Sequence, residues 1–89
     1  MILPCRHHYV PYREAAGAAN IVIDGTPNDN TALPLSHWPK SGTPWELKAD
    51  TSVEVVFNYL DSPGHHVAVA PVTNDHFDED GMIGLWCMI

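Results

Sequence analysis

The stretch DTSVEVVFNYLDSPG, residues 50–64, holds the start, the apolar face and the stop of a helix in one short window. Asp50 or Thr51 can serve as N-cap. Thr51 with Glu54 has the T-x-x-E spacing of a capping box, which satisfies backbone amides that the first turn leaves open. Val53, Val56, Phe57 and Leu60 fall at the i, i+3, i+4, i+7 spacing of one helical face. Ser62-Pro63-Gly64 ends the helix, because proline cannot continue it and glycine relaxes the turn.

Runs that suit strands stand on both sides. IVID, residues 21–24, is rich in β-branched side chains and reads as a buried strand that stops at the turn pair Asp24-Gly25. TALPLSHWP is a second short extended piece, which Pro34 assigns to a sheet edge or excludes from the sheet. HHVAVAPVTN reads as a strand over residues 66–73, with Pro71 marking an edge or a bulge. After the loop HFDEDG, the chain from Met82 onward is apolar and reads as a short buried helix, although Gly84 does not favour one. This order predicts an α/β fold: a short, mostly parallel sheet with flanking helices. Residues 1–20 read as an irregular segment, with at most a turn of helix over residues 13–19 that Gly17 weakens. Residues 21–89 read as a partial α/β domain. The oily close LWCMI calls for something to pack against. It suggests the N-terminal part of a larger domain, or a truncated product that self-associates through this apolar end; a small domain whose tail tucks into its own core is the alternative.

Bulk properties exclude several functions. The 89 residues suffice for one small domain. Charged residues are 17% and apolar ones 45%, a balance that argues against a disordered tail. The formal charge of −7, with only four Lys and Arg and no basic stripe, discourages duplex nucleic acid and is compatible with a cation site. No apolar run is long enough to span a bilayer or to act as a signal peptide, so the expected location is cytoplasmic, without a membrane. Cys5 and Cys87 lack metal-type spacing and do not make a disulfide framework; Cys87 reads as a small buried hydrophobe.

The chemistry concentrates in HFDEDG. His76, Asp78 and Asp80 occupy alternate positions, which in an extended segment point the same way, while Phe77 and Glu79 point elsewhere. Gly81 permits a sharp turn into the following helix. The loop follows a strand and so lies at the carboxyl edge of the sheet, where open α/β sheets place ligands. One imidazole and two carboxylates suit Mn²⁺, with Mg²⁺ or Zn²⁺ as alternatives. A plain acidic turn is the competing reading. An EF-hand calcium loop is rejected, since His76 stands at its first ligand position and Cys87 where a bidentate Glu belongs. Asp24 and His37 are additional candidate ligands or substrate contacts, against ordinary roles in turn formation and packing. A triad of Ser36, His37 and Asp24 lacks a nucleophile elbow. The pairs His7-His8 and His65-His66 read as surface histidines.

Strand, H-x-D-x-D-G and apolar helix resemble the first motif of the DHH phosphoesterases, over residues 72–86. That resemblance implies that His76, Asp78 and Asp80 ligate one or two divalent metals, and that Asp78 and Asp80 act in catalysis. The substrate would be a phosphorylated small molecule or short nucleotide, attacked by activated water at a phosphate ester or anhydride. The family's later motifs, a strand-end aspartate and the Asp-His-His signature, do not follow here, so the 89-residue chain alone is expected to be inactive. The stretches D-G-x-P-N, L-S-H-W-P, D-T-S-x-E and N-x-H-F-D-x-D-G resemble an uncharacterised bacterial family, which implies no activity. A non-catalytic module that binds metal or a partner through the acidic loop is the alternative to the hydrolase.

Overall fold

A computed structural model describes residues 6–76 and 78–89; Cys5 and Phe77 lie outside them. Four strands form one all-parallel sheet: β1 (His8–Tyr9), β2 (Asn20–Ile23), β3 (Thr31–Leu35) and β4 (Pro71–Thr73), in the order β1-β4-β2-β3. The helices are α1 (Tyr12–Ala15), α2 (Ser52–Leu60) and α3 (Glu79–Met88), with single 3₁₀ turns at Trp45–Leu47 and Pro63–His65. The fold is a small α/β fold, as the alternation of elements predicts.

β2 lies between β4 and β3, pairing Ile21 with Val72 and with Leu33. All four of its residues are buried, which is why it reads as an unbroken apolar run rather than an alternating one. Ile21 and Ile23 join Leu33, Leu35 and Val72 beneath Val55, Val56 and Tyr59 of α2 and Met88 of α3. β3 is an edge strand, where Pro34 costs no ladder bond. The return from β2 to β3 takes only residues 24–30, fewer than the dozen or so that parallel connections usually need. Asn20 makes this short return hold. Its Nδ2 donates to Asn28 Oδ1 at 3.1 Å within the return, and its Oδ1 accepts from the Thr31 hydroxyl at 2.9 Å.

Several local expectations are corrected. The strand expected over residues 66–73 shrinks to Pro71–Thr73, because residues 63–65 form a 3₁₀ turn and 66–70 are not strand, although the Ala70 carbonyl accepts the His8 amide of β1 at 3.1 Å. Pro71 lies in an inner strand, at its first position, where a missing amide is tolerated. The irregular N-terminal segment contributes β1 to the sheet and the single-turn α1. In α2 half of the capping box forms as read: Thr51 Oγ1 accepts the Glu54 amide, while the Glu54 carboxylate accepts the Thr51 hydroxyl at 2.9 Å in place of the Thr51 backbone amide. The buried face is displaced from the expected one, however. Ser52, Val55, Val56 and Tyr59 are buried while Phe57 is half exposed. Ser52 must face the carboxyl edge of β2, and the helix turns accordingly. α3 is buried on one side only. Gly84 allows this contact, since a Cβ there would stand 2.8 Å from Ile23 Cγ2 and 3.4 Å from Val56 Cγ2. Met82, Ile83 and Trp86 are exposed, and Cys87 is half-buried with a free thiol. Among the described residues, no helix is long and apolar enough to cross a membrane.

Candidate metal centre

Three strands deliver their carboxyl ends to one place. Asp24 follows β2, Ser36 and His37 follow β3, and Asn74, Asp75 and His76 follow β4. The N-termini of α2 and α3 converge there too, and their partial positive ends favour anions. Asp78 is the N-cap of α3, its Oδ1 accepting the Gly81 amide at 2.7 Å. Asp80 reaches across to α2, where its two carboxylate oxygens accept the Val53 amide at 2.8 Å and the Ser52 amide at 2.9 Å. The extended turn expected for H-x-D-x-D is therefore corrected. The helix begins at Glu79, so Asp80 is already helical and its side chain diverges from those of His76 and Asp78.

The divergence creates two clusters instead of one. In the first, His76 Nε2 lies 2.8 Å from Asp78 Oδ2 and 3.3 Å from Asp24 Oδ2. In the second, His37 Nδ1 lies 3.3 Å from Asp24 Oδ1 and 3.5 Å from Asp80 Oδ2. Each set offers one histidine nitrogen and two carboxylate oxygens within 4.8 Å of one another, a spacing that can hold a metal ion. Asp24 is common to both and directs one oxygen to each.

Asp24 is fully buried and sits in the left-handed region at φ 54, which Asp and Asn adopt more readily than bulkier residues. Its Oδ1 accepts the Ser52 hydroxyl at 2.6 Å. Its Oδ2 is buried and receives no hydrogen bond among the described residues. Capping explains the oxygens of Asp78 and Asp80 that touch backbone amides. It does not explain Asp24 Oδ2, an acceptor withdrawn from water that has His76 Nε2 at 3.3 Å as a charge partner but accepts no hydrogen bond. A cation would satisfy it. Gly81 keeps this space clear: a Cβ there would stand 2.7 Å from Asn74 Nδ2, 3.1 Å from Asp78 Oδ1 and 3.3 Å from Asp24 Oδ2. Gly81 is thus needed for close approach inside the first turn of α3, not for the change of direction that its position in the sequence suggests.

The electrostatics follow from this crowding. Burial raises the Asp24 carboxyl above its ordinary value against the Ser52 hydrogen bond, and the nearby Asp78 and Asp80 charges raise it further. Asp78 is held low, chiefly by the Gly81 amide. His76 is raised to about 9, first by Asp75, whose Oδ1 lies 2.8 Å from Nδ1, and then, against its partial burial, by Asp78 and Asp24. Burial pushes Asp75 up, but hydrogen bonds from His76 and Thr26 outweigh it and leave the carboxyl low. Asp75 therefore fixes the Nδ1 proton and leaves Nε2 to face the cluster, the carboxylate–histidine arrangement that orients metal ligands. Sequence reading passed over Asp75 and Ser52. Asp75 adjoins the motif and carried a usable signal; Ser52 did not, because only the packing of α2 brings it to Asp24. Ser52 accepts the His37 amide at 3.0 Å and lies 2.7 Å from His37 Nδ1, so it spaces the two ligands. It is fully buried and unavailable as a nucleophile. The Ser36 hydroxyl oxygen accepts the Trp38 amide at 3.2 Å, a structural contact in its own loop that gives the Ser36 triad no support. Two surface expectations fail as well: His7 is buried, and His66 Nε2 lies 2.8 Å from the Tyr59 carbonyl.

Fold and site together define a small parallel α/β protein with paired acid–histidine clusters at the carboxyl edge of its sheet. The chain belongs to a family of unknown function (DUF6687), whose model matches residues 5–89. No curated protein and no solved structure matched it.

Proposed function

We propose that this protein binds two divalent cations, Mn²⁺ foremost with Mg²⁺ or Zn²⁺ as alternatives, and uses them to hydrolyse a phosphate ester or anhydride. The observation that carries the reading is the buried Asp24 carboxylate, which offers one oxygen to each cluster while Oδ2 lacks a hydrogen bond. A carboxylate shared in this way suits a two-metal site. His76 and Asp78 would complete one side, His37 and Asp80 the other. The resemblance of H-x-D-x-D-G to the first DHH motif supports the same chemistry. Asp24 precedes the motif in this chain, so the family's later strand-end aspartate is not carried over onto it, and its part in the proposal rests on geometry alone.

Cations held there would polarise phosphoryl oxygens and make a bound water more acidic. The chain's own part is to position and to exclude. The α2 amides fix the Asp80 carboxylate, Asp75 holds the Nδ1 proton of His76, and Gly81 leaves the floor open. Three protein ligands on each side leave positions for water and substrate, the arrangement expected of a catalytic rather than a structural centre. Calorimetric titration with Mn²⁺, paired with hydrolysis assays on pyrophosphate and p-nitrophenyl phosphate, tests both halves. Two ions per chain, with binding lost in Asp24→Asn and His76→Ala, is the expected result. Binding that survives both substitutions would remove the metal reading. Binding without turnover of either phosphate would favour a non-catalytic metal-binding module.

A further inference from the structure

A second feature of the same edge bears on what the site acts upon. Beside His76 a recess of about 370 Å³ opens, within the size range of small-ligand pockets. Thr26, Pro27, Trp38, Pro39 and Lys40 line it, together with the carboxylate-bearing Asp75. Trp38 stacks on His37 with ring centroids 4.9 Å apart and planes 30° apart, while 52% of the residue remains exposed. One face of the indole is therefore taken by a candidate ligand and the remainder is open. Lys40 is the single lysine among the described residues of the wall, in a chain of strongly negative charge.

The loop that carries this pair is built rather than slack. Ser36 and Thr43 are buried; the Ser36 amide donates to Thr43 Oγ1 at 3.0 Å, and the Ser41 hydroxyl donates to the Ser36 carbonyl at 3.2 Å. The Trp38 amide donates to Ser36 Oγ at 3.2 Å, and the Ser41 amide closes a tight turn on the Trp38 carbonyl. At the apex Lys40 adopts φ 59. Glycine would occupy that conformation without steric cost, and a side chain there persists because the surroundings over-determine it.

We propose that this recess binds the ring of a phosphorylated planar molecule of the nucleoside phosphate class, stacked on Trp38, with its phosphate between Lys40 and the metal centre. The inference rests on the metal reading for where the phosphate ends, and on Trp38 and Lys40 for the rest. Stacking on an indole is tolerant of base identity, so the ring is specified by flatness and not by a hydrogen-bond code.

The test compares AMP with ribose 5-phosphate, which has the sugar phosphate and lacks the base. Both are titrated into the protein by calorimetry in saturating Mn²⁺. The expected result is AMP binding about tenfold tighter. Trp38→Ala should erase that gap, Trp38→Phe should keep part of it, and Lys40→Ala should weaken both ligands by a similar factor. Circular dichroism of each variant establishes folding. Equal affinity for the two ligands, no binding of either, or a gap that survives Trp38→Ala overturns the proposal. The Mn²⁺ titration of the same samples separates the two readings. AMP held through Trp38 without Mn²⁺ binding retains the recess and removes the metal centre. Mn²⁺ binding without preference for AMP removes the recess alone.

Discussion

Replacing Asp24 by asparagine should stabilise the metal-free protein and destroy its response to metal. Asn retains an Oδ1 to accept the Ser52 hydroxyl, and it tolerates the left-handed backbone at φ 54. What it removes is a buried acceptor without a hydrogen bond, crowded by Asp78 and Asp80. An unsatisfied buried acceptor costs about 1–3 kcal/mol, and the variant gives up part of this gain by losing the attraction to His76 Nε2 at 3.3 Å, so the net gain in the metal-free state should be about 1 kcal/mol. For a domain of this size that is on the order of 5 °C in Tm. The sign depends on pH. Burial raises the Asp24 carboxyl above its unfolded value, so ionising it destabilises the fold above its folded pKa. The advantage of the variant should be largest at neutral pH and fade in acid. Metal inverts the comparison. Mn²⁺ at a hundred times its Kd would stabilise the native protein by about 2.7 kcal/mol and leave Asp24→Asn unmoved. Thermal unfolding followed by circular dichroism, in EDTA and then in Mn²⁺, should show the two Tm values exchanging order. A variant that melts below the native protein in EDTA, or that rises with Mn²⁺ as the native protein does, would refute the argument.

Asp80→Ala should cost about 2 kcal/mol in urea unfolding, since two backbone amides at the start of α2 lose a charged acceptor; an unchanged midpoint would deny that role. Gly81→Ala should weaken Mn²⁺ binding despite alanine's better helix propensity, because its Cβ meets Asn74, Asp78 and Asp24, whereas Gly64→Ala, with nothing within 4 Å, serves as the neutral control. His76, raised to about 9, should be protonated in the metal-free protein at pH 7.5, so Mn²⁺ binding should release close to one proton from it. Calorimetry in buffers of different ionisation enthalpy reads that release, and affinity independent of pH between 7 and 9 would contradict it. The same raised value means that the contacts of His76 stabilise the metal-free fold fully below about 6.5, and that this contribution disappears as pH rises through about 9. The exposed Met82, Ile83 and Trp86 on α3 predict association at high concentration, which Trp86→Glu should suppress in sedimentation; a strict monomer would dismiss it.

Local signals in the chain were enough to place α2 between its cap and its stop, to identify β2 as buried, to limit the Pro34 segment to an edge or to no strand, and to point at the acids of H-x-D-x-D-G. Each of these is encoded within a turn or two of backbone, through capping, side-chain period or the missing amide of proline. The sequence also singled out Asp24 and His37, but it offered no way to join them to His76. Only the tertiary structure did so, because parallel strands from distant parts of the chain end at the same edge. It also divided the motif, giving Asp78 to α3 as a cap and sending Asp80 to α2, since helix formation at Glu79 removes the alternation that an extended loop would have kept. Gly81 and Gly84 look like defects in a helix when read alone. Against Asp24 and Ile23 they are the positions where α3 comes too close for a side chain. Periodicity describes one element's exposure to its own axis; it carries no distance to a neighbour, and the metal centre is made of such distances.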